Sequence, residues 1–197
     1  MIDANKIGRL IAEEIANEPG PCFYPGKFKP PHKGHFKAAL DLASRNYIIM
    51  VHIIISRKPI EGITPEDSLA IWNMFLQAQP SPKIKVQIST QESPIVDIIN
   101  YMKENPSVDP VYVAGGDDET DDNNYMATLE QEFHNRVRAI PIHEKDGIVS
   151  APYTRELLRT QDYEKFKETV PESAFNRGAA PKIFKMLASK ISHEPQL

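Results

Sequence analysis

The chain has almost no cysteine, little net charge and no long apolar run, and each of these absences excludes a class of protein. Cys22 is the only cysteine, so no internal disulfide can form, and its apolar neighbours favour a reduced structural thiol. The net charge of -4 gives no general attraction to nucleic acid or anionic membrane. No run approaches the ~20 apolar residues of a membrane helix, and residues 1–5 lack the features of a signal peptide. We therefore expect a cytoplasmic protein whose partners include neither nucleic acid nor membrane.

Strand and helix patterns alternate along the chain. Apolar runs predict strands at 22–24, 47–55, 84–88, 111–114 and 136–140. Helical spacing of apolar residues predicts helices at 3–17, 34–45, 65–79, 94–104 and 122–134, and helices alone after residue 149. This order predicts an α/β fold, a Rossmann-like doubly wound parallel sheet of about five strands with helices on both faces. The predicted units are an N-terminal helix within 1–19, the Rossmann-like domain at 20–160 and a helical C-terminal extension at 161–197.

The most informative segment is residues 24–35, YPGKFKPPHKGH, which joins the first predicted strand to the next helix. Gly26 permits a turn close to a ligand, and Gly34 does so at a helix N-terminus, where free N–H groups attract phosphate. His32 and His35 can each donate a hydrogen bond to one bound anion. The pattern predicts a phosphate-binding loop. The alternatives are a proline-rich surface loop with incidental histidines and a zinc site, for which no further Cys or His has suitable spacing.

This segment resembles the HxGH signature of the nucleotidylyltransferase superfamily in its extended form GxFxPxHxGH, as in nicotinamide mononucleotide adenylyltransferases and phage and bacterial cytidylyltransferase-like proteins. Every fixed position is present, at Gly26, Phe28, Pro30, His32, Gly34 and His35. The resemblance implies catalytic roles for His32, His35 and Lys27. It implies nucleotide contacts for Gly26, Phe28, Lys29 and Gly34. Relatives often have arginine at the position of Lys27. Lysine keeps the positive charge but lacks the bidentate fork of a guanidinium.

A second segment, VSAPYTR at 149–155, is similar to the family's ISSTxxR motif, which grips the β- and γ-phosphates from the start of a late helix. We expect Ser150 to cap that helix and to contact the nucleotide, and Arg155 to project from its first turn as a catalytic cation. Pro152 replaces the family threonine and removes a hydroxyl and an amide donor. A plain helix cap is the alternative interpretation of this segment.

Other candidates lie at the carboxyl ends of predicted strands, where ligands bind in such sheets. Arg57 and Lys58 follow the second strand and are predicted to bind the acceptor. The alternative interpretation is that they form a solvated loop end. Gly115 and Asp117 follow the fourth strand and are predicted to bind the nucleotide. The acidic run at 117–122 could attract magnesium, but such runs are usually only solvated, so no metal ligand is predicted.

The resemblance implies transfer of AMP from ATP to a phosphorylated acceptor, with nicotinamide mononucleotide the first candidate, Mg2+ as cofactor and pyrophosphate as the second product. A cytidylyltransferase that uses CTP with a sugar or alcohol phosphate, an archaeal-type flavin adenylyltransferase, and a non-catalytic nucleotide-binding module remain open. Many relatives assemble, so the resemblance also leaves a homo-oligomer open.

Overall fold

A parallel β-sheet organises the fold, and the computed structural model describes residues 18–116, 125–142 and 149–191 of the chain. The strands are β1 Gly20–Gly26, β2 Ile48–Ile55, β3 Ile84–Ile88, β4 Val111–Gly116 and β5 Val137–Ile142. Their order across the sheet is β3-β2-β1-β4-β5, and every neighbouring pair is parallel. The chain moves outward from β1 to β3 and then crosses to β4. The switch point, where such sheets bind ligands, therefore lies between β1 and β4.

Helices cover both faces of the sheet. They are α1 Lys33–Ser44, α2 Pro65–Ala78, α3 Pro94–Glu104, α4 Tyr125–Phe133, α5 Ala151–Arg159, α6 Tyr163–Phe166, α7 Glu172–Phe175 and α8 Ala179–Ile191. One apolar cluster joins the sheet to α1, α2 and the helices after β5, and a second joins it to α3 and α4. The predicted doubly wound Rossmann-like sheet is confirmed. Among the described residues, no helix is long and apolar enough to cross a bilayer.

Strand β1 is longer than predicted, because Pro25 and Gly26 were expected to end it and instead belong to it. Successive residues of a strand direct their backbone groups to opposite neighbours. The Gly26 carbonyl accepts a hydrogen bond from the Ser56 N–H on the β2 side, at 2.9 Å, so Pro25 faces β4. The described pairing with β4 covers only Cys22 and Phe23. The missing N–H of Pro25 therefore breaks no ladder bond, and it falls where β1 and β4 cease to pair.

The C-terminal helices share the core of the sheet domain. Ile183 and Leu187 of α8 are buried in the same cluster as Trp72, which is fully buried, as predicted for a packed helix residue.

Cys22 is also buried, and burial raises the pKa of its thiol to about 12, in keeping with a structural role. His52 stacks on Phe23 with ring centroids 5.0 Å apart.

Several predictions fall on residues outside the described part of the chain. They are the N-terminal helix at 3–17, the first residues of the helix predicted at 122–134, Asp117 with its acidic run, and the predicted disordered end at 193–197.

Candidate active site

The loop between β1 and α1, which carries the histidine motif, is fixed by hydrogen bonds to three successive carbonyls. The Lys27 carbonyl accepts from Lys29 Nζ at 2.8 Å, and the Phe28 carbonyl accepts from Ser68 Oγ at 2.7 Å. The Lys29 carbonyl accepts from Arg155 Nη1 at 2.8 Å. Because the donors come from the loop itself, from α2 and from α5, the loop conformation depends on distant parts of the chain.

Lys29 stabilises this loop from within. The sequence predicts a nucleotide contact for it, but the side chain is fully buried and its ammonium also donates to the Ser56 carbonyl at 2.9 Å. Burial lowers the pKa of Lys29 to about 8, while the nearby Glu66 and Asp67 carboxylates act to raise it. An ammonium held by two carbonyls inside the protein ties the loop to the end of β2.

Phe28 and Gly26 likewise support the site, through packing next to His35. Phe28 is 4% exposed and has a φ of 50°, a left-handed conformation that is rare for a bulky residue. Its ring packs edge-on against His35, with centroids 5.0 Å apart. A Cβ at Gly26 would lie 2.6 Å from Phe28 Cζ, so glycine is needed there to admit the phenyl ring. The Phe28 ring therefore supports His35, and its predicted nucleotide contact stays a prediction.

The two histidines of the motif form a stacked pair at the start of α1. Their ring centroids lie 3.7 Å apart with an interplanar angle of 28°. His32 is the N-cap, and its Nδ1 accepts from the Gly34 N–H at 3.2 Å, while His35 Nδ1 accepts from the His32 N–H at 3.3 Å. A nitrogen that accepts an N–H bond carries no proton, so each neutral ring holds its proton on Nε2. The pair therefore presents two Nε2–H donors.

Both rings are neutral near pH 7. Burial, aided by Lys33, lowers the pKa of His32 to about 4. Burial, aided by His32, also lowers the pKa of His35 well below its usual value. His32 is only 1% exposed, whereas His35 is half-buried. His35 is therefore the more exposed residue of the pair.

The lowered pKa values predict that acid destabilises the fold. The unfolded chain binds a proton on each histidine below about pH 6.5, while the folded rings stay neutral to lower pH, His32 to about pH 4. Unfolding then becomes easier as the pH falls through this window, by up to ~1.4 kcal/mol per pH unit for each ring. Urea unfolding of the wild type and of His35→Gln between pH 6.5 and 4 measures this. The variant should have the shallower slope, and equal slopes would show that His35 titrates normally.

Gly34 adjoins an open cleft that runs along α1. A Cβ at Gly34 would lie 3.1 Å from the His32 ring, so glycine lets that ring fold back over the helix start. The cleft has a volume of about 1060 Å³ and touches both motifs, at Lys33, Gly34 and Ser150. Its remaining wall includes Pro141 at the end of β5. Neither His32 nor His35 lines the cleft, whose wall follows α1 as far as Arg45.

The second motif starts helix α5 as predicted. Ser150 is the N-cap and its Oγ accepts from the Tyr153 N–H at 3.2 Å, with Pro152 in the first turn. Arg155 Nε pairs with Glu61 Oε1 at 2.8 Å, and its Nη1 holds the Lys29 carbonyl. The Arg155 side chain is 13% exposed. The structure thus joins the two motifs through a direct hydrogen bond between residues far apart in sequence.

The other candidates lie along the same edge of the sheet. Arg57 and Lys58 are exposed after β2, and Arg57 Nη1 donates to the Thr90 carbonyl after β3 at 3.3 Å. Gly115 lies near the carboxyl end of β4 and pairs with Pro141 of β5. Lys27 is exposed in the motif loop. Asp117 lies outside the described residues.

Sequence reasoning missed three contributors, Ser68, Ser56 and Glu61. Ser68 and the Ser56 carbonyl fix the motif loop, and Glu61 holds Arg155. None belongs to a motif; the only local signal is the Glu61-Gly62 turn. In the described ranges, no group of three or more His, Cys, Asp or Glu side chains is placed to hold a metal ion.

The order of the strands gives a Rossmann-like fold, and the histidine pair lies at the switch point of the sheet. Nucleotidylyltransferases share this fold. Two solved structures of the Plasmodium falciparum nicotinic acid mononucleotide adenylyltransferase have this fold. The one complexed with APC has a TM-score of 0.59 at 13% identity, and the one complexed with NaAD has 0.55 at 15%. Each similarity covers 85% of this chain and 98% of the other. The sequence itself matches no protein-family model and no curated protein.

Proposed function

We propose that this chain is a nucleotidylyltransferase that transfers AMP from ATP to a phosphorylated acceptor and releases pyrophosphate. The observation that carries the proposal is the stacked histidine pair, with both protons on Nε2, at the switch point of the sheet. The fold shared with adenylyltransferases supports the same reaction. Nicotinamide mononucleotide is the first acceptor to test, because the motif is closest to enzymes that use it.

In the proposed reaction, an oxygen of the acceptor phosphate attacks the α-phosphorus of ATP in line. The bond from the α-phosphorus to the bridging oxygen breaks, and pyrophosphate leaves with that electron pair. The acceptor oxygen is already ionised, so no general base is needed, and catalysis consists of positioning and charge stabilisation. Neutral His32 and His35 suit this role, because each donates an Nε2–H without needing to be protonated.

The cationic side chains would bind the phosphates of the two substrates. Lys27 and Arg155 would hold the triphosphate, while Arg57 and Lys58 would meet the acceptor phosphate. The remaining nucleotide contacts fall to Gly115, Asp117 and Ser150. A triphosphate carries strong negative charge, and these lysines and arginines supply positive charge locally although the chain as a whole is net negative.

Mg2+ would enter with the triphosphate. Protein-bound Mg2+ usually keeps several waters and binds substrate phosphates with few carboxylates. The absence of a three-ligand cluster among the residues described here fits an ion held mainly by ATP and water. When bound, the ion neutralises charge on the phosphates.

A non-catalytic nucleotide-binding module is the second candidate. One observation favours it: His32 is nearly inaccessible. Such a module would bind ATP through the same motifs without aligning an acceptor.

Pyrophosphate release separates these functions. The protein is incubated with ATP or CTP and Mg2+, together with a panel of acceptors that includes nicotinamide and nicotinic acid mononucleotides, flavin mononucleotide and glycerol phosphate. We expect acceptor-dependent pyrophosphate formation with ATP. Formation with CTP alone would reassign the nucleotide. Tight ATP binding without pyrophosphate for any acceptor would favour the binding module.

A further inference from the structure

Glu61 lies between two arginines of helix α5, and neither motif includes it. Its Oε1 is 2.8 Å from Arg155 Nε, and its Oε2 is 2.6 Å from Arg159 Nη2. The Arg155 side chain is 13% exposed, against 42% for Arg159. The Arg155 contact is therefore better shielded from water than the Arg159 contact, and it is the stronger constraint.

A tight turn directs the Glu61 carboxylate toward α5. Ile60 and Ile63 exchange backbone hydrogen bonds of 3.1 and 2.9 Å across the turn. Glu61 and Gly62 both have positive φ, 48° and 75°. A left-handed glutamate costs conformational energy, and such strain persists only where the surroundings hold it in place.

The C-terminal helix supports this turn. A Cβ at Gly62 would lie 3.1 Å from the Lys190 carbonyl, so the turn packs closely against α8. Lys190 Nζ also contacts both carboxylate oxygens of Asp67, at 2.8 and 2.7 Å, near the start of α2. Burial acts to raise the pKa of Asp67, but hydrogen bonds from Lys190 and Thr64 outweigh it and lower that pKa. The turn therefore packs against α8, and α8 is in turn tied to the start of α2.

Arg155 can keep these contacts and still bind a phosphate. Its Nε donates a hydrogen bond to Glu61 and its Nη1 donates one to the Lys29 carbonyl. Together these two bonds fix the plane of the guanidinium. These contacts use two of its five N–H groups, and the other three suffice for a bidentate grip on phosphate.

We propose, on the basis of the proposed function, that Glu61 is a positioning residue that orients the Arg155 guanidinium toward the triphosphate. The opposite role is a carboxylate that competes with phosphate for Arg155. The two roles differ in sign, because losing a positioning group weakens nucleotide binding, whereas losing a competitor strengthens it.

Glu61→Asp tests the proposal at constant charge. Aspartate tolerates a left-handed backbone, but its carboxylate is one methylene shorter and cannot reach both arginines. We expect about tenfold weaker ATP binding and about tenfold lower kcat/KM, since small misplacements of binding groups are costly. The matched control is Glu156→Asp, because Glu156 also pairs with Arg159, on the exposed face of α5, and it should leave both values unchanged.

ATP affinity is measured by direct titration, so the test needs no acceptor. In an Arg155→Ala background, Glu61→Asp should have no further effect, since it acts through that arginine. Unchanged ATP affinity in Glu61→Asp, or tighter ATP binding in Glu61→Gln, overturns the positioning role. A wild type that binds ATP without any transfer contradicts the proposed reaction, and the titrations still decide the role of Glu61. A wild type that binds neither ATP nor CTP contradicts both.

Discussion

His35→Ala should lower kcat about 10²- to 10³-fold, the usual cost of losing one preorganised donor to a developing oxyanion. The variant loses the Nε2–H of the more accessible histidine, while His32 still caps α1 through its contact with the Gly34 N–H. The protein should therefore stay folded. Steady-state pyrophosphate release gives the turnover, and circular dichroism with thermal unfolding reports the fold.

Two further variants make the His35 result specific. His35→Gln keeps a side-chain amide donor, so it should lose less turnover than His35→Ala. His134→Asn is the matched control, because His134 is exposed just before β5, at the opposite edge of the sheet, and asparagine tolerates its φ of 48°. Turnover of His35→Ala near the wild-type value would remove His35 from the catalytic group.

Arg155→Ala should lower kcat/KM about 10²-fold, through the loss of a charged phosphate donor. The same change removes the donor to the Lys29 carbonyl, so the motif loop loses one of its three supports. Arg155→Lys keeps the charge but cannot serve Glu61, the Lys29 carbonyl and a phosphate together, so most of the loss should remain. ATP titration and steady-state kinetics separate weaker binding from slower chemistry.

The control for Arg155 is an arginine that also donates to a carbonyl. Arg177 Nη1 binds the Gln77 carbonyl at 2.9 Å, at the C-terminal end of α2 and away from both motifs. Arg177→Ala should keep wild-type kinetics. If Arg155→Ala behaves like Arg177→Ala, the second motif serves only as a helix cap.

The sequence predicts the fold well because local patterns dominate it. Helix α3 matches its predicted bounds at 94–104, which came from apolar residues at helical spacing, and in the structure Ser93 caps it. The apolar run at 47–55 places β2 to within one residue, whereas β4 continues through Gly115 and Gly116, which were expected to follow it. The extent of β1 was missed, because a proline rule cannot tell which neighbour the missing N–H faces.

The site was predicted only in part. The histidine pair follows from one local motif, and the structure places both rings together. Which way a loop side chain turns is set by tertiary contacts, so the sequence does not reveal that Lys29 and Phe28 also hold the motif loop in place. Ser68 lies 40 residues from the carbonyl it binds, and Glu61 lies 94 residues from Arg155, so no local pattern reveals either contact.

Histidine side-chain 1H–15N NMR spectra, recorded with and without ATP and Mg2+, test the central claim most directly. We predict that His32 and His35 are neutral near pH 7 with the proton on Nε2, and that saturating ATP shifts both Nε2 signals. Comparison with His35→Gln assigns the pair among the six histidines of the chain. Protonated Nδ1 atoms, or signals from the pair that stay unchanged at saturating ATP, would contradict the account.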